Sequence, residues 1–166
     1  MNKLRWVVYV AMALGVTGCD LATKRMASSM LTLGHGVSLI AGVLSLDRTH
    51  NTDTAFGTLA SVVPLDSRLL LLKVTATVGA LAVAVFAAAR LTRAKLIERL
   101  ALALLFGGAL GNAIDRWRWG YVVDFIHVEH WPTFNIADMA LSVGVGLLLL
   151  HGVRARRVIS GLGARG

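Results

Sequence analysis

Two aspartates, Asp124 and Asp138, stand in apolar stretches of the second half of the chain. Asp124 has apolar neighbours on both sides, and Asp138 lies about one turn into an apolar segment that starts near Phe134. An unpaired carboxylate is expensive in such surroundings, so each aspartate needs a structural or chemical reason. Two carboxylates held close together cannot both ionise cheaply, so one of them keeps a proton. Such a pair can hydrolyse a peptide bond, because the ionised carboxylate activates a water and the protonated one polarises the scissile carbonyl.

Polar residues spaced three or four positions apart occur near the ends of apolar segments. Asn135 precedes Asp138 by three positions, so both side chains face the same way on a helix. Asp20 and Lys24 are four positions apart, which predicts an ion pair on one helix face. For this ion pair we favour a structural role.

A further polar group, formed by Asn112, Asp115 and Arg116, also shares one helix face because its members are three and four positions apart. It follows a stretch of small residues that permits close approach of helices: Gly107, Gly108 and Gly111. Two interpretations of the group remain open, a structural network between helices and a site that binds substrate.

Other catalytic groups are poorly represented in the sequence. His127 and His130 are three apart but lack an obvious third ligand, and there is no HExxH pattern. No GxSxG motif is present, and the single cysteine, Cys19, has no histidine placed to activate it. The sequence therefore predicts neither a metal nor a cofactor.

The elements that must hold these side chains are helices of membrane-spanning length. Hydrophobic residues make up 56% of the 166 residues and the mean hydropathy is +0.69, values typical of a polytopic membrane protein. A spanning helix needs roughly 20 mostly apolar residues. Four segments approach that length, namely about Trp6 to Ala27, Leu69 to Ala89, Leu96 to Asn112 and Phe134 to His151. We expect one all-α membrane domain over residues 1–166, with four transmembrane helices and a small extracytoplasmic β-element.

The distribution of charge predicts the orientation of these helices. Ten of the 17 Lys and Arg residues fall in three short hydrophilic segments on one side of a four-span topology: Lys3, Arg5, Arg90, Arg93, Lys95, Arg99, Arg154, Arg156, Arg157 and Arg165. One acidic residue, Glu98, joins them. Positive loops stay in the cytoplasm, so both termini should be cytoplasmic. The net charge of +8 is thus a topology signal, and it does not favour a nucleic-acid partner.

The two external segments differ in character. The first, residues 28–68, alternates apolar and polar residues between Gly34, Gly36 and Gly42, which predicts a small β-structure on the membrane surface. The second, about residues 115–133, is rich in aromatic residues that favour the membrane–water interface: Trp117, Trp119, Tyr121 and Trp131.

Two alternatives compete with a hydrolase. Residues Val16 to Cys19 resemble a lipoprotein cleavage box, in which Cys19 would be lipidated, but three further apolar segments follow it. A membrane scaffold or small transporter could use the aspartates as an ion path. Such a path needs polar groups across the whole bilayer, and the inner halves of the spans hold almost none.

Taken together, the motifs resemble the signal peptidase II family, the bacterial lipoprotein signal peptidases, along nearly the whole chain. Five ordered stretches carry the resemblance: Asp20 to Lys24, Asn51 to Phe56, Gly107 to Arg116, Val122 to Ile126 and Phe134 to Asp138. Any one of them is a weak signal, but five in order over four spans are specific.

The resemblance implies an aspartic endopeptidase of the bacterial inner membrane, with Asp124 and Asp138 as the catalytic pair and without a cofactor. It implies that further polar residues line or support the substrate site: Asp20, Lys24, Asn51, Asn112, Arg116 and Asn135. It also implies cleavage of diacylglyceryl-modified prolipoproteins just before the lipidated cysteine. The implied partners are these substrates, membrane lipids and lipopeptide inhibitors of the globomycin type.

One position departs from the family pattern. The motif at Asn51 usually reads Asn-Thr-Gly-Ala-Ala-Phe, and this chain has Asp53 in place of the glycine. If the position needs a positive φ, aspartate is tolerated better than most residues but still costs more than glycine. The departure therefore concerns the geometry of this loop and the fit of substrate or inhibitor, and it leaves the two aspartates unchanged.

Overall fold

The computed structural model describes residues 3–52 and 63–163, with side chains described as far as residue 153. The elements in chain order are α1 (Lys3–Met30), β1 (Val37–Ile40), β2 (Leu44–Asn51), α2 (Leu65–Arg90), α3 (Leu96–Trp119), β3 (Val122–Val128) and α4 (Ile136–Gly163). The predicted fold class, four spanning helices with a small β-element, is confirmed. Residues Asp53 to Phe56, including the family departure, lie outside the described residues.

All four helices are long and apolar enough to cross a membrane. The predicted third span ends at Asn112, yet α3 continues for about two more turns to Trp119. The continuation is polar, but Asn112 and Asp115 are buried, so the helix turns these groups into the bundle rather than towards water. Helices α1 and α2 also run past their predicted ends, α4 begins slightly later than expected, at Ile136, and it extends to Gly163.

Helix α3 is the centre of the bundle. Half of its most apolar stretch is buried (50%), against 11% to 22% for the other three helices, and it packs against all of them. Away from the sheet, a buried cluster joins α1, α2 and α3: Tyr9, Ala13, Ala87, Leu91, Leu102 and Ala103. The other helices therefore expose most of their apolar surface, as expected for surfaces that face lipid.

Two consecutive glycines set the spacing of α3 from its neighbours. A Cβ on Gly107 would lie 2.6 Å from the carbonyl oxygen of Ala13 on α1, and one on Gly108 would lie 2.6 Å from that of Ala137 on α4. The Thr17 hydroxyl donates to the Gly107 carbonyl at 3.0 Å, a contact that this close approach permits. The small-residue stretch predicted to allow close packing is thus used on two faces of α3.

A three-stranded antiparallel sheet covers one end of the bundle, with β2 between β1 and β3. Strands β1 and β2 lie in the segment, predicted to be external, for which a β-structure was expected. In the register of β2 with β3, Thr49 is opposite Asp124 and Asn51 is opposite Val122. The sheet therefore brings the end of β2 beside Asp124.

Strand β3 was not predicted from the sequence. Residues Val122, Val123, Asp124 and Phe125 are all buried, so the strand lacks the alternation that marks a half-buried strand. The backbone N–H groups of Phe125 and Ile126 both donate to the carbonyl of Phe134, at 3.1 and 2.9 Å. These bonds hold β3 against the segment that leads into α4.

The glycine contacts predict the cost of a single added methyl group. Gly108→Ala should lower the free energy of unfolding by about 1–3 kcal/mol, because backbone of α4 blocks the new Cβ. Gly79→Ala on α2 is the matched control: its Cβ would meet nothing within 4 Å, and alanine favours helix, so stability should be unchanged or rise. Thermal unfolding in detergent measures both. Equal stability of the two variants would contradict the close α3–α4 packing.

Candidate active site

Asp124 lies on β3 and is almost completely buried, with 2% of its surface exposed. Its two carboxylate oxygens accept hydrogen bonds from two amide side chains. Asn51 Nδ2 donates to Oδ2 at 2.9 Å, and Asn135 Nδ2 donates to Oδ1 at 2.6 Å. Asn51 reaches Asp124 because the β2–β3 register brings it there, and Asn135 approaches from the start of α4.

Asp138 lies in the first turn of α4 and forms a capping box with Asn135. The Asp138 N–H donates to Asn135 Oδ1 at 3.0 Å, and the Asn135 N–H donates to Asp138 Oδ2 at 3.2 Å. The other carboxylate oxygen, Oδ1, accepts from Asn112 Nδ2 of α3 at 2.8 Å. The predicted shared face of Asn135 and Asp138 is therefore correct, and the pair also forms the N-terminal cap of the helix.

One side chain, that of Asn135, connects the two aspartates. Its Nδ2 donates both to Asp124 Oδ1 and to Asn112 Oδ1, the second at 3.2 Å, while its Oδ1 accepts from the backbone of Asp138. Asn135 is completely buried, so these contacts fix its orientation. The structure thus brings Asp124 and Asp138 together around one amide group, from a strand and a helix that are separate in the fold.

The surroundings of Asp124 move the pKa of its carboxyl towards neutral pH. Burial raises the pKa of Asp124 to about 6, with the charge of Asp138 acting in the same direction. The hydrogen bonds from Asn51 and Asn135 act against the rise in pKa. A carboxyl with this pKa has both its protonated and its ionised form within reach near neutral pH, which suits a group that must exchange a proton with substrate or water.

Beside the aspartates, a buried lysine forms a network with three acceptors. Lys24 Nζ lies 2.7 Å from Asp20 Oδ2 and 3.0 Å from Asp115 Oδ2, and it donates to Asn112 Oδ1 at 2.9 Å. The predicted ion pair of Asp20 and Lys24 therefore forms. Three oxygen atoms thus lie within 3.0 Å of the ammonium, and two of them carry charge, which offsets the cost of burying Lys24.

The members of this network also hold neighbouring elements. Asp20 Oδ1 accepts from the N–H of Ala137 at 2.9 Å, so a residue of α1 caps the start of α4. Asp115 Oδ2 accepts from the N–H of Val123 on β3 at 3.4 Å. The sequence left two interpretations open for the polar group on α3. Asp115 has a structural role, because it binds Lys24 and β3, whereas Asn112 donates to the carboxylate of Asp138.

Arg116 is half-buried on α3, one turn beyond Asn112. The charges of Asp138, Asp124 and Asp115 all act on its guanidinium group. Its Nε is buried and has no hydrogen-bond partner among the described residues. Arg116 therefore differs from the other predicted site residues, since one of its buried donors, Nε, has no acceptor in the described part of the chain.

Sequence reasoning underestimated one residue, Asp115, which was noted for its spacing but not included in the predicted site. It is the second carboxylate on Lys24, and the signal for it was its place three positions after Asn112 on the same helix face. Within the described ranges, no cluster of three or more His, Cys, Asp or Glu residues is arranged to hold a metal, and this includes the neighbourhood of His127 and His130. Cys19 is exposed on α1.

The chain matches the family model for signal peptidase (SPase) II over residues 12–154. It is 37% identical to the lipoprotein signal peptidase of Geobacter sulfurreducens, over 93% of this chain and 97% of the relative. It is 40% identical to that of Teredinibacter turnerae, over 90% and 89% of the two chains.

Two solved structures of bacterial membrane enzymes are also similar. One has a TM-score of 0.76 and 29% identity, covering 89% of this chain and 88% of that one; the other has a TM-score of 0.73 and 26% identity, covering 87% and 91%. The family match and the relatives each extend over most of the chain. The protein therefore belongs to the signal peptidase II family, and it is a multi-pass membrane protease that removes signal peptides from prolipoproteins.

Proposed function

We propose that the protein is an aspartic endopeptidase in which Asp124 and Asp138 act together on one water molecule. The observation that carries the proposal is the position of Asn135, which holds Asp124 through its side chain and Asp138 through the capping box. A pair of carboxyls needs a fixed mutual geometry, since a general base must reach its proton at about 2.6–3.2 Å or through one water. A rigid amide bonded to both residues supplies that constraint.

The proposed reaction uses one proton held by the pair. The ionised carboxylate removes a proton from water, and the resulting hydroxide adds to the scissile carbonyl, whose oxygen receives a hydrogen bond from the protonated carboxyl. The tetrahedral intermediate then collapses, and the carboxyl that took up the water proton delivers it to the departing amine. The raised pKa of Asp124 supports this scheme, because a carboxyl with a pKa of about 6 can accept and release a proton near neutral pH.

The surrounding residues divide into positioning and binding roles in this proposal. Asp20 and Lys24 position the start of α4, and Asn112 orients the carboxylate of Asp138. Asn51 orients Asp124 from β2. Arg116 is the proposed substrate-binding group, because its buried Nε has no acceptor among the described residues and a guanidinium suits carbonyl oxygens.

The proposed substrates are diacylglyceryl-modified prolipoproteins, cut just before the lipidated cysteine. The site lies where the helices meet the sheet, and the helices around it expose apolar side chains such as Leu70 and Met139. Acyl chains of a substrate can stay in lipid against such surfaces while the peptide reaches the aspartates. Lipopeptides of the globomycin type combine the same two features and are proposed as competing ligands, and no cofactor enters the scheme.

The distribution of buried polar groups favours this hydrolase over an ion path. In the described part of the chain they are Thr17, Asp20, Lys24, Asn112, Asp115, Asp124 and Asn135. From Asp20 onwards they all lie towards the sheet end, with Thr17 one turn deeper on α1. An ion path would continue through the opposite half of the bundle, where the buried cluster around Tyr9 and Leu102 is apolar.

The proposed location is the bacterial inner membrane, with both termini in the cytoplasm and the sheet on the far side. The basic residues between α2 and α3 support this orientation, since Arg90, Arg93, Lys95 and Arg99 lie at the end opposite to the sheet. The lipidated region of an exported precursor would then meet the aspartates at the outer face of the membrane.

The first prediction separates catalysis from folding. Asp124→Asn and Asp138→Asn should each lower turnover of a lipidated prolipoprotein by at least about 10³-fold, because each removes one of the two proton-transfer groups. Both variants should still fold, since asparagine has nearly the shape of aspartate. Glu129→Gln is the matched control: it removes a carboxylate that follows β3 but is exposed, so turnover should not change. A folded Asp124→Asn variant with near-normal turnover would refute the aspartic mechanism.

A second prediction follows from the pKa of Asp124. The pKa in the folded protein, about 6, lies above the unfolded value of 3.8, so the stability contributed by the neutral carboxyl is complete below pH 3.8 and is lost as the pH rises through 6. Asp124→Asn has no such loss. Its stability relative to the wild type should therefore increase between pH 5 and pH 8, by on the order of 1.5 kcal/mol, since part of the loss already occurs below pH 5.

Thermal unfolding of both proteins across this pH range measures the difference. Asparagine also disturbs the hydrogen bonds to Asn51 and Asn135, but that cost does not depend on pH and leaves the slope intact. A stability difference that stays constant from pH 5 to pH 8 would show that Asp124 has an ordinary pKa.

A third prediction concerns orientation. A reporter fused after Arg157 should be cytoplasmic, and one inserted near Asp47 should be external, because the basic segments are retained inside. Alkaline phosphatase activity, which requires export, and fluorescence of a cytoplasmic reporter distinguish the two sides. The reverse result at both positions would put the aspartates on the wrong side for exported precursors.

A further inference from the structure

A cavity of about 360 Å³ lies at the sheet end of the bundle, between α1, α3 and the strands β2 and β3. Its apolar wall includes Leu21 of α1 and Ile114 of α3, and two aromatic residues, Trp119 and Tyr121, also line it. Neither Asp124 nor Asp138 lines it. The cavity is therefore separate from the proposed catalytic pair, although it shares Lys24 and Asp115 with the network beside that pair.

The lining of the cavity is strongly cationic. It contains one carboxylate, that of Asp115, and four basic side chains: Lys24, Arg25, Arg48 and Arg118. Lys24 is paired with two carboxylates, Asp115 at 3.0 Å and Asp20 at 2.7 Å. Across the residues that the structure describes, none of the three arginines forms an ion pair with a carboxylate. Three guanidinium groups around one cavity thus have no carboxylate partner among the residues described.

Two of the three arginines have defined contacts beside the cavity. Arg48 Nη1 donates to the carbonyl of Ser28 at 3.0 Å, which holds the side chain of β2 against the end of α1. Arg48 Nε is buried and has no hydrogen-bond partner in the described part of the chain. Arg118 lies over the ring of Trp119, with its Cζ 4.9 Å from the ring centroid. A buried donor without an acceptor is expensive, so an acceptor bound in the cavity would stabilise Arg48.

We propose that this cavity binds the phosphodiester headgroup of an anionic phospholipid. Guanidinium groups bind phosphate oxygens with charge-assisted hydrogen bonds, and three of them line this cavity. Arg48 offers its Nε, because both of its Nη atoms already contact other groups of the protein. The cavity lies where α1 and α3 end, at Met30 and Trp119, which is the depth at which headgroups and interfacial aromatic residues meet. The apolar wall of Leu21 and Ile114 accepts the first part of an acyl chain, which a free phosphate ion would leave uncovered.

The bound lipid would join α1, α3 and the sheet beside the Lys24 network, and it would therefore stabilise the fold. This proposal depends on where the helices end and on the charges of the cavity, not on the roles of Asp124 and Asp138. Binding and stability measurements without substrate therefore test it independently of the proposed catalytic mechanism.

The experiment titrates the purified full-length protein, in a zwitterionic detergent, with short-chain phosphatidylglycerol, phosphatidylcholine or inorganic phosphate. The readouts are the thermal unfolding midpoint and binding measured by native mass spectrometry. Phosphatidylglycerol should raise the midpoint of the wild type, and the two other probes should not. The double variant Arg25→Gln/Arg118→Gln should bind phosphatidylglycerol at least about tenfold more weakly, because each lost guanidinium removes charge-assisted hydrogen bonds.

Arg93→Gln is the matched control, since it removes an exposed arginine at the opposite end of the bundle and should leave the affinity unchanged. If the double variant fails to fold, Arg25→Gln alone serves, because Arg25 is exposed on α1. Equal affinity of this variant and the wild type would overturn the proposal. Stabilisation by phosphatidylcholine equal to that by phosphatidylglycerol would overturn the anionic site, and stabilisation by inorganic phosphate alone would overturn the assignment to a lipid.

Discussion

The ammonium group of Lys24 is buried among helices that expose mostly apolar surface, and the sheet end of the structure depends on how that charge is satisfied. Its acceptors are Asp20 on α1 and Asp115 and Asn112 on α3. Each acceptor also holds a further element: Asp20 caps α4, Asp115 binds the start of β3, and Asn112 binds the carboxylate of Asp138. One buried charge therefore fixes the relative positions of three helices and one strand.

Such a network contributes more to geometry than to stability. Burying charges has a desolvation cost that a well-made ion pair offsets but seldom exceeds, whereas the loss of one partner leaves an uncompensated charge in an apolar setting. The network is possible only because the helices approach closely. Gly111 illustrates this, because a Cβ there would lie 2.5 Å from Asp20 Oδ2. The glycines of α3 thus provide the space in which the buried polar side chains are packed.

The position of the proposed catalytic pair at the boundary of helices and sheet has a physical consequence. Hydrolysis requires water, while the proposed lipid-anchored substrate requires a hydrophobic surface next to the site. Asp124 belongs to a strand outside the spans and Asp138 to the first turn of a span, so the pair joins the two environments. The buried setting of Asp124, which raises its pKa to about 6, comes from the same location, since the sheet covers it from one side and α4 from the other.

The sequence by itself determined the four spans, their predicted orientation and the types of the residues in the candidate site. These features depend on local composition, on helical spacing such as that of Asp20 and Lys24, and on motifs that resemble a known family. The spacing of Asn135 and Asp138 likewise predicted their shared face, because residues three apart on a helix are neighbours wherever the helix lies.

Only the tertiary structure decided which distant residues meet to complete the candidate site. Strand β3 exists because β2 pairs with it, and its buried residues show no alternation that the sequence could reveal. The bond from Asn51 to Asp124 joins residues 73 positions apart, and it depends on the register of two strands from separate connections between the helices. The extension of α3 and the pairing of Asp115 with Lys24 follow from packing as well, because a polar helix end stays helical only where other helices supply its partners. A hydropathy scale describes the transfer of a residue between water and an apolar phase, whereas these residues are buried against polar groups of the protein.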